Sequence, residues 1–94
     1  MNYLAVLVEF LGTFIFLSVI VAFNNPWITG GTLAMLIYLS QEVSGGHFNP
    51  VVTLMNLYNR GIGSDNASAY IVAQATGGLL AAAVYTTLKN RGVL

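Results

Sequence analysis

Two long stretches with almost no charge, residues 3–23 and 67–88, limit most strongly what this chain can fold into. The first contains a single charged residue, Glu9, and the second contains none. As α-helices they would be about 32 and 33 Å long, which matches the ~30 Å hydrocarbon core of a bilayer. The first stretch is also longer than the ~7–15 apolar residues of a signal peptide. We therefore expect both stretches to span a membrane.

The composition excludes several classes of function. Charged residues make up 6% of the 94 residues, with no net charge and no basic cluster, so nothing in the chain suits a nucleic-acid backbone. The chain has no cysteine, and its only histidine, His47, has Glu42 as its one nearby residue of ligand type. A catalytic nucleophile with its general base needs more candidate residues than these, and so does a metal site with its two to four ligands. We expect no enzyme activity, metal or cofactor.

The segment after the first span contains a turn and a third candidate span. Asn24, Asn25 and Pro26 are turn-forming residues, and Trp27 suits the membrane interface. Residues 27–43 would then form a helix about 25 Å long, near the lower limit for spanning, with a polar end. The sequence predicts that the chain crosses back here.

The next segment, residues 44–59, has the pattern of a re-entrant loop and a half-helix. Gly45 and Gly46 loosen the backbone, Asn49 suits a helix N-cap, and Pro50 suits the first helical position. The helix that follows would be about 15 Å long, half a bilayer. It is apolar nearly all round, which favours burial over a position on the membrane surface. We expect one all-α membrane domain over residues 1–94, with three transmembrane helices and one re-entrant half-helix.

Two features inside the membrane need an explanation. Non-helical backbone at this depth is tolerated only where it is buried in protein or lines a water-filled cavity. A carboxylate such as Glu9 costs about 2.5–3.5 kcal/mol to insert at mid-membrane. Glu9 either braces the loop by accepting hydrogen bonds from its N–H groups or couples transport to protons, and the absence of a basic partner favours the brace. Small residues on the last span favour close helix packing: Ala69, Ala73, Gly77 and Ala81.

Three segments together resemble one family of membrane channels. Residues 44–53 (SGGHFNPVVT) resemble the first Asn-Pro-Ala motif of the aquaporin and glycerol-facilitator family, the major intrinsic proteins. Residues 9–14 (EFLGTF) are similar to the first-helix signature of that family, and residues 70–74 (YIVAQ), with Gly77 and Gly78, are similar to its third helix. The resemblance covers nearly the whole chain.

The resemblance implies a role for each candidate site residue. The Asn49 amide would donate to water at the centre of a pore while its oxygen caps the half-helix. Val51 stands where the family usually has alanine. The other implied roles are motif residue for Pro50 and Val51, pore carbonyl ladder for Gly45, Gly46 and His47, loop brace for Glu9 and Gln74, and selectivity-filter position for Thr29.

The resemblance also implies that the pore is incomplete. Pores of this family contain two inverted repeats, and this chain contains one. We expect half of a channel for water or small neutral solutes such as glycerol, in the cell membrane, completed by an inverted copy of itself or by a separate second half. Arg60 and the amino terminus oppose Lys89 and Arg91, a balance that permits insertion in both directions. A non-conducting fragment or vestigial module is the alternative, and a dual-topology transporter that uses Glu9 for protons is a third interpretation.

Overall fold

The computed structural model describes residues 1–94 and consists of four α-helices. They are α1 (Tyr3–Ala22), α2 (Pro26–Ser40), α3 (Pro50–Tyr58) and α4 (Ser64–Asn90). The molecule is elongated, measuring 45 × 24 × 20 Å. Helix α1 packs mainly against α4, α2 packs against α1, and the short α3 packs against α4.

Asparagine caps the start of three helices. The side-chain oxygen of Asn2 accepts a hydrogen bond from the Ala5 N–H at 3.1 Å, and Asn25 and Asn49 cap α2 and α3 in the same way. Proline occupies the first turn of both α2 and α3, where its missing N–H leaves no bond unmade. The two Asn-Pro pairs therefore both act as helix starts.

The contact between α1 and α4 depends on small residues, as the sequence predicts. Ala73, Gly77 and Ala81 are buried, whereas Ala69 is half-buried. A Cβ atom built on Gly77 would lie 2.6 Å from the backbone oxygen of Phe10. Only glycine at this position lets the two helix backbones approach so closely.

The helix bounds differ from the sequence expectation at several ends. Helix α2 stops at Ser40 rather than at residue 43, because the Ser40 carbonyl accepts from the N–H groups of Val43, Ser44 and Gly45 and closes a turn. Helix α1 ends at Ala22, one residue early. Helix α4 covers Ser64–Asn90 rather than 67–88, and the Ala67 N–H already donates to the Gly63 carbonyl at 2.9 Å. The polar residues before position 67 thus belong to the first turn of α4.

Two of the four helices, α1 and α4, are long and apolar enough to cross a membrane, judged by length and composition. Helix α2 has 15 residues and α3 has 9, which correspond to about 22 and 14 Å of helix. The outer surface is rich in large apolar side chains; the most exposed include Tyr3, Trp27, Val72 and Leu79. Such a surface suits contact with lipid or with other apolar protein.

Candidate functional site: a buried carboxylate and the loop before α3

The centre of the site is the carboxylate of Glu9, which is completely buried on α1. Its Oε2 atom accepts from the Ser44 hydroxyl at 2.8 Å and from the His47 N–H at 3.0 Å. Its Oε1 atom accepts from the Phe48 N–H at 2.8 Å and from the Gln74 Nε2 atom at 2.9 Å. Four donors converge on one carboxylate, and together they join α1, the loop and α4.

A second layer of hydrogen bonds connects this centre to α3. Gln74 Nε2 also donates to the Thr53 hydroxyl oxygen at 2.9 Å, and that oxygen lies 2.8 Å from His47 Nδ1. The Gln74 amide hydrogens therefore point to Glu9 and Thr53, and this fixes the orientation of the amide. As a result, the buried Oε1 atom of Gln74 has no hydrogen-bond partner within the chain. The buried Thr13 hydroxyl also has none.

The first half of the loop is held by Ser44 and Tyr70. The Ser44 hydroxyl accepts from the Gly46 N–H at 3.1 Å, and the Tyr70 hydroxyl donates to the Ser44 carbonyl at 2.8 Å. The ring of Tyr70 also meets the ring of His47 edge-on, with centroids 5.1 Å apart. These contacts satisfy polar backbone that would otherwise be unpaired beside the apolar helices.

The loop backbone takes the left-handed conformation at Gly45, Gly46 and Phe48, with φ of 88°, 64° and 52°. For a bulky residue such as Phe48 this conformation costs roughly 1–3 kcal/mol, so the surrounding contacts must enforce it. The Phe48 N–H is held by Glu9, and its buried ring fills the notch above Gly12, where a Cβ would come within 2.0 Å of the ring. Glu9 and Gly12 thus fix the loop from the same helix.

The end of the loop presents Asn49. Its Oδ1 atom accepts from the Val51 N–H at 2.8 Å, while its Nδ2 hydrogens donate to nothing within the chain. Asn49, Pro50 and Val51 are all exposed, Val51 to 68%. This helix start is therefore an accessible polar point between apolar helices.

The other predicted residues lie at different distances from this point. Gly45 is exposed, Gly46 is buried against Ile37 of α2, and His47 is half-buried. Thr29 is half-buried in the first turn of α2, eight positions before Ile37, which is about 12 Å along the helix axis. The structure brings Glu9, Gln74 and the loop together and leaves Thr29 apart from them.

A groove of about 570 Å³ opens next to the loop end, between α1 and α4. Its walls are mainly apolar, and Thr13 and Gln74, each with one oxygen atom that has no hydrogen-bond partner, both line it. The residues that line it are Thr13, Phe16, Leu17, Phe48, Asn49, Pro50, Gln74, Ala75, Gly78 and Leu79.

Comparison with known proteins identifies the family of the chain. Residues 1–93 match the family described as major intrinsic protein. The chain belongs to the major intrinsic protein family. It is 33% identical over 112 residues to the probable aquaporin PIP2-8 of Arabidopsis thaliana, with 96% of this chain and 40% of the relative covered. It is 41% identical over 86 residues to the glycerol uptake facilitator protein-like 6 of Lactiplantibacillus plantarum, with 82% and 40% covered.

The chain thus spans about 40% of the length of these two relatives. No solved structure matches it. Membership of the major intrinsic protein family makes this a membrane protein of a channel family and not an enzyme.

Three residues of this major intrinsic protein site were missed by the sequence reasoning: Ser44, Thr53 and Tyr70. Each contributes a hydroxyl group to the hydrogen bonds around the loop. The available signal was spacing: Tyr70 and Gln74 are one helical turn apart and so share a face, and Thr53 lies one turn after Asn49. The spacing therefore places the hydroxyl groups of Tyr70 and Thr53 on helix faces that can contact the loop.

Proposed function

We propose that this chain forms half of a channel for the passive movement of water or small neutral solutes such as glycerol. The observation that carries the proposal is the exposed Asn49 amide at the start of the short helix α3. It lies at the end of an irregular loop whose backbone N–H groups donate to the buried Glu9 carboxylate. Such backbone is tolerated in a membrane where it lines a cavity. This chain therefore supplies one of the two halves from which a channel of this family is built.

The proposed membrane arrangement has three spanning helices, α1, α2 and α4, with α3 as a re-entrant half-helix. Helix α3 is about 14 Å long, so it reaches from one face to mid-depth. Helix α2 is shorter than the thickness of the bilayer. The turn after Ser40 continues the chain toward the membrane face from which α3 reaches mid-depth. Trp27, exposed to 85% at the start of α2, suits the opposite interface.

The proposed pore chemistry depends on donors and acceptors in fixed positions. The Nδ2 hydrogens of Asn49 donate to the passing solute, and the carbonyls of residues 45–47 accept from it. The positive end of the α3 dipole opposes cations and protons. Glu9 and Gln74 brace the loop, Pro50 and Val51 shape the constriction, and Thr29 lies nearer the mouth formed by the start of α2.

Completion of the pore requires a partner, because three spans and one half-helix cannot enclose a lumen through the whole bilayer. The partner is either a second copy or a complementary half that supplies an inverted unit. The outward apolar surface contacts lipid, and we place the assembly in the cell membrane.

The test uses proteoliposomes that contain the purified 94-residue chain. Stopped-flow light scattering measures osmotic shrinkage and glycerol uptake, and a pH-sensitive dye measures proton leak. We expect solute permeability above that of empty vesicles, and we expect Asn49→Asp to reduce it several-fold and raise proton leak, because a carboxylate cannot donate. The matched control is Asn59→Asp at the exposed end of α3, which should match the parent.

A second candidate is a folded membrane module that conducts nothing. The observation in its favour is that the chain covers only about 40% of the length of the two relatives described above. Vesicles that contain folded, inserted protein and show no permeability above the lipid background would support this candidate and refute channel formation by the chain alone.

A further inference from the structure

A second groove, of about 630 Å³, lies between α1 and α4, and no residue of the loop or of α3 lines it. Leu7 and Phe10 of α1 and Ala69 and Val72 of α4 form its middle, and we call it the outer groove. It shares no lining residue with the groove next to the loop end. The outer groove is therefore separate from the site around Glu9.

The outer groove begins at one end of the two long helices and stops near the middle of α4. On α4 it extends from Asp65, the second residue of that helix, to Thr76, which is about 16 Å further along the axis. On α1 it begins at Tyr3, the first residue of the helix. Half of a hydrocarbon core ~30 Å thick is about 15 Å. Because both helices are long and apolar enough to cross a membrane, the outer groove opens at a membrane surface and has the depth of one leaflet.

The two hydroxyl groups that line the outer groove are already paired. The Ser68 hydroxyl donates to the Ser64 carbonyl at 2.8 Å, and the Thr76 hydroxyl donates to the Val72 carbonyl at 2.7 Å. Neither hydrogen is left for an occupant. The rest of the wall below the mouth is hydrocarbon, and Leu7 and Val72 are 50% and 65% exposed there. Such a wall suits an acyl chain, which has no polar group to satisfy, better than water or a polar peptide.

The mouth of the outer groove carries a negative charge. The Asp65 side chain lies there and is 67% exposed. Its carboxylate is 3.8 Å from the amino group of Met1, and an exposed pair of this length contributes little to stability. The carboxylate is therefore accessible to a cation at the membrane surface. A primary ammonium has three N–H donors for it, whereas the quaternary ammonium of choline has none and an anionic headgroup is repelled.

We propose that the outer groove binds one acyl chain of a membrane lipid whose headgroup carries a primary ammonium, as in phosphatidylethanolamine. The acyl chain lies along Leu7, Phe10 and Val72, over the small side chain of Ala69, and the ammonium donates to Asp65 at the mouth. Depth, apolar wall and charge all match one such lipid in one leaflet. The site goes beyond the proposed function and does not depend on whether the chain conducts.

Photoaffinity labelling in nanodiscs tests the proposal. The purified 94-residue chain is reconstituted in phosphatidylcholine with a small fraction of a probe lipid that carries a diazirine in one acyl chain. Three probes have the same chain and differ only in the headgroup, which is ethanolamine, choline or glycerol. Peptide mass spectrometry locates the label after irradiation. We expect label within residues 3–10 and 65–76, several-fold more from the ethanolamine probe than from the choline probe, and least from the glycerol probe.

Asp65→Asn separates the charge at the mouth from the shape of the groove. We expect labelling by the ethanolamine probe to fall to the level of the choline probe, because the amide carries no charge to attract the ammonium. The matched control is Glu42→Gln, which removes an exposed carboxylate outside the groove and should keep the several-fold preference. Both replaced side chains are exposed, and circular dichroism checks that the helix content is unchanged.

Ala69→Leu fills the middle of the outer groove. We expect it to reduce labelling by all three probes several-fold, because the larger side chain takes the space of the acyl chain. Ala75→Leu makes the same change on the same helix, but in the groove next to the loop end, and should match the parent.

Three results would overturn the proposal. The first is equal labelling of the groove by the three probes, or an ethanolamine preference that survives Asp65→Asn. The second is label spread evenly over the exposed residues of α1 and α4, which would indicate ordinary contact with lipid. The third uses the absence of cysteine from the chain. A disulfide that forms between Val72→Cys chains in proteoliposomes, and not between chains with Leu79→Cys at a similar exposure (65% against 73%), would place a second copy in the groove instead of a lipid.

Discussion

Glu9→Gln tests whether the buried carboxylate holds the loop. Glutamine keeps the shape but replaces one acceptor oxygen by an NH₂ group, which cannot accept from a backbone N–H. In its better orientation the NH₂ group faces Ser44, whose hydroxyl can turn to accept, and the His47 N–H, which cannot. The substitution therefore leaves at least one donor in the site without its acceptor.

The magnitude follows from these contacts. Leaving one buried donor unpaired costs about 1–3 kcal/mol. The bonds from Phe48 and Gln74 also change from charge-assisted to neutral, which weakens each by about 1 kcal/mol. We expect Glu9→Gln to lower the free energy of unfolding by about 3–5 kcal/mol in total.

The assay is denaturant unfolding in detergent micelles, followed by circular dichroism, with hydrogen exchange at His47 and Phe48. The matched control is Glu42→Gln, which removes an exposed carboxylate from the preceding turn and should leave stability unchanged. An unchanged free energy for Glu9→Gln with protected amides at both positions would refute the bracing argument. Loss of pH-coupled flux in a variant whose loop stays ordered would instead support the proton-coupling interpretation of Glu9.

Two further predictions concern packing and the loop. Gly77→Ala should lower the free energy of unfolding by about 1–3 kcal/mol, because the new methyl group meets the Phe10 carbonyl and the two backbones must separate. Gly31→Ala, which meets nothing within 4 Å, is the control and should match or exceed the parent in thermal unfolding. Tyr70→Phe should cost about 1 kcal/mol by loss of the bond to the Ser44 carbonyl, and denaturant titration would show it; an unchanged midpoint would contradict the role of that hydroxyl.

The elements that the sequence predicted best are those with local physical causes. The Asn-Pro pair at 49–50 was predicted to start a helix, because the side chain caps the first turn and proline needs no donor, and it does so. The pair at 25–26 was predicted only as a turn before a helix from residue 27, and it caps α2 in the same way, one residue earlier. The small residues of α4 likewise predicted the close contact at Gly77. A cap acts within a few residues, and the small residues recur every four positions along a single helix, so the sequence displays both patterns directly.

The parts that the sequence did not reveal depend on residues far apart in the chain. The end of α2 at Ser40 comes from a turn in which one carbonyl receives three N–H groups, and apolar periodicity carries no sign of it. The left-handed Phe48 is held by Glu9 and by the notch at Gly12, from another helix. Propensity rules place phenylalanine in no such conformation, because the compensation is tertiary.

The hydrogen bond between Gln74 and Glu9 joins residues 65 positions apart, and this has a consequence for biosynthesis. During synthesis α1, α2 and the loop leave the ribosome before α4. Until residue 74 emerges, Glu9 has only its loop donors, and Ser44 lacks Tyr70. The order of translation therefore makes the last helix the one that completes the loop. A nascent chain arrested before α4 would hold its polar loop at the translocon without the hydrogen bonds that Tyr70 and Gln74 supply.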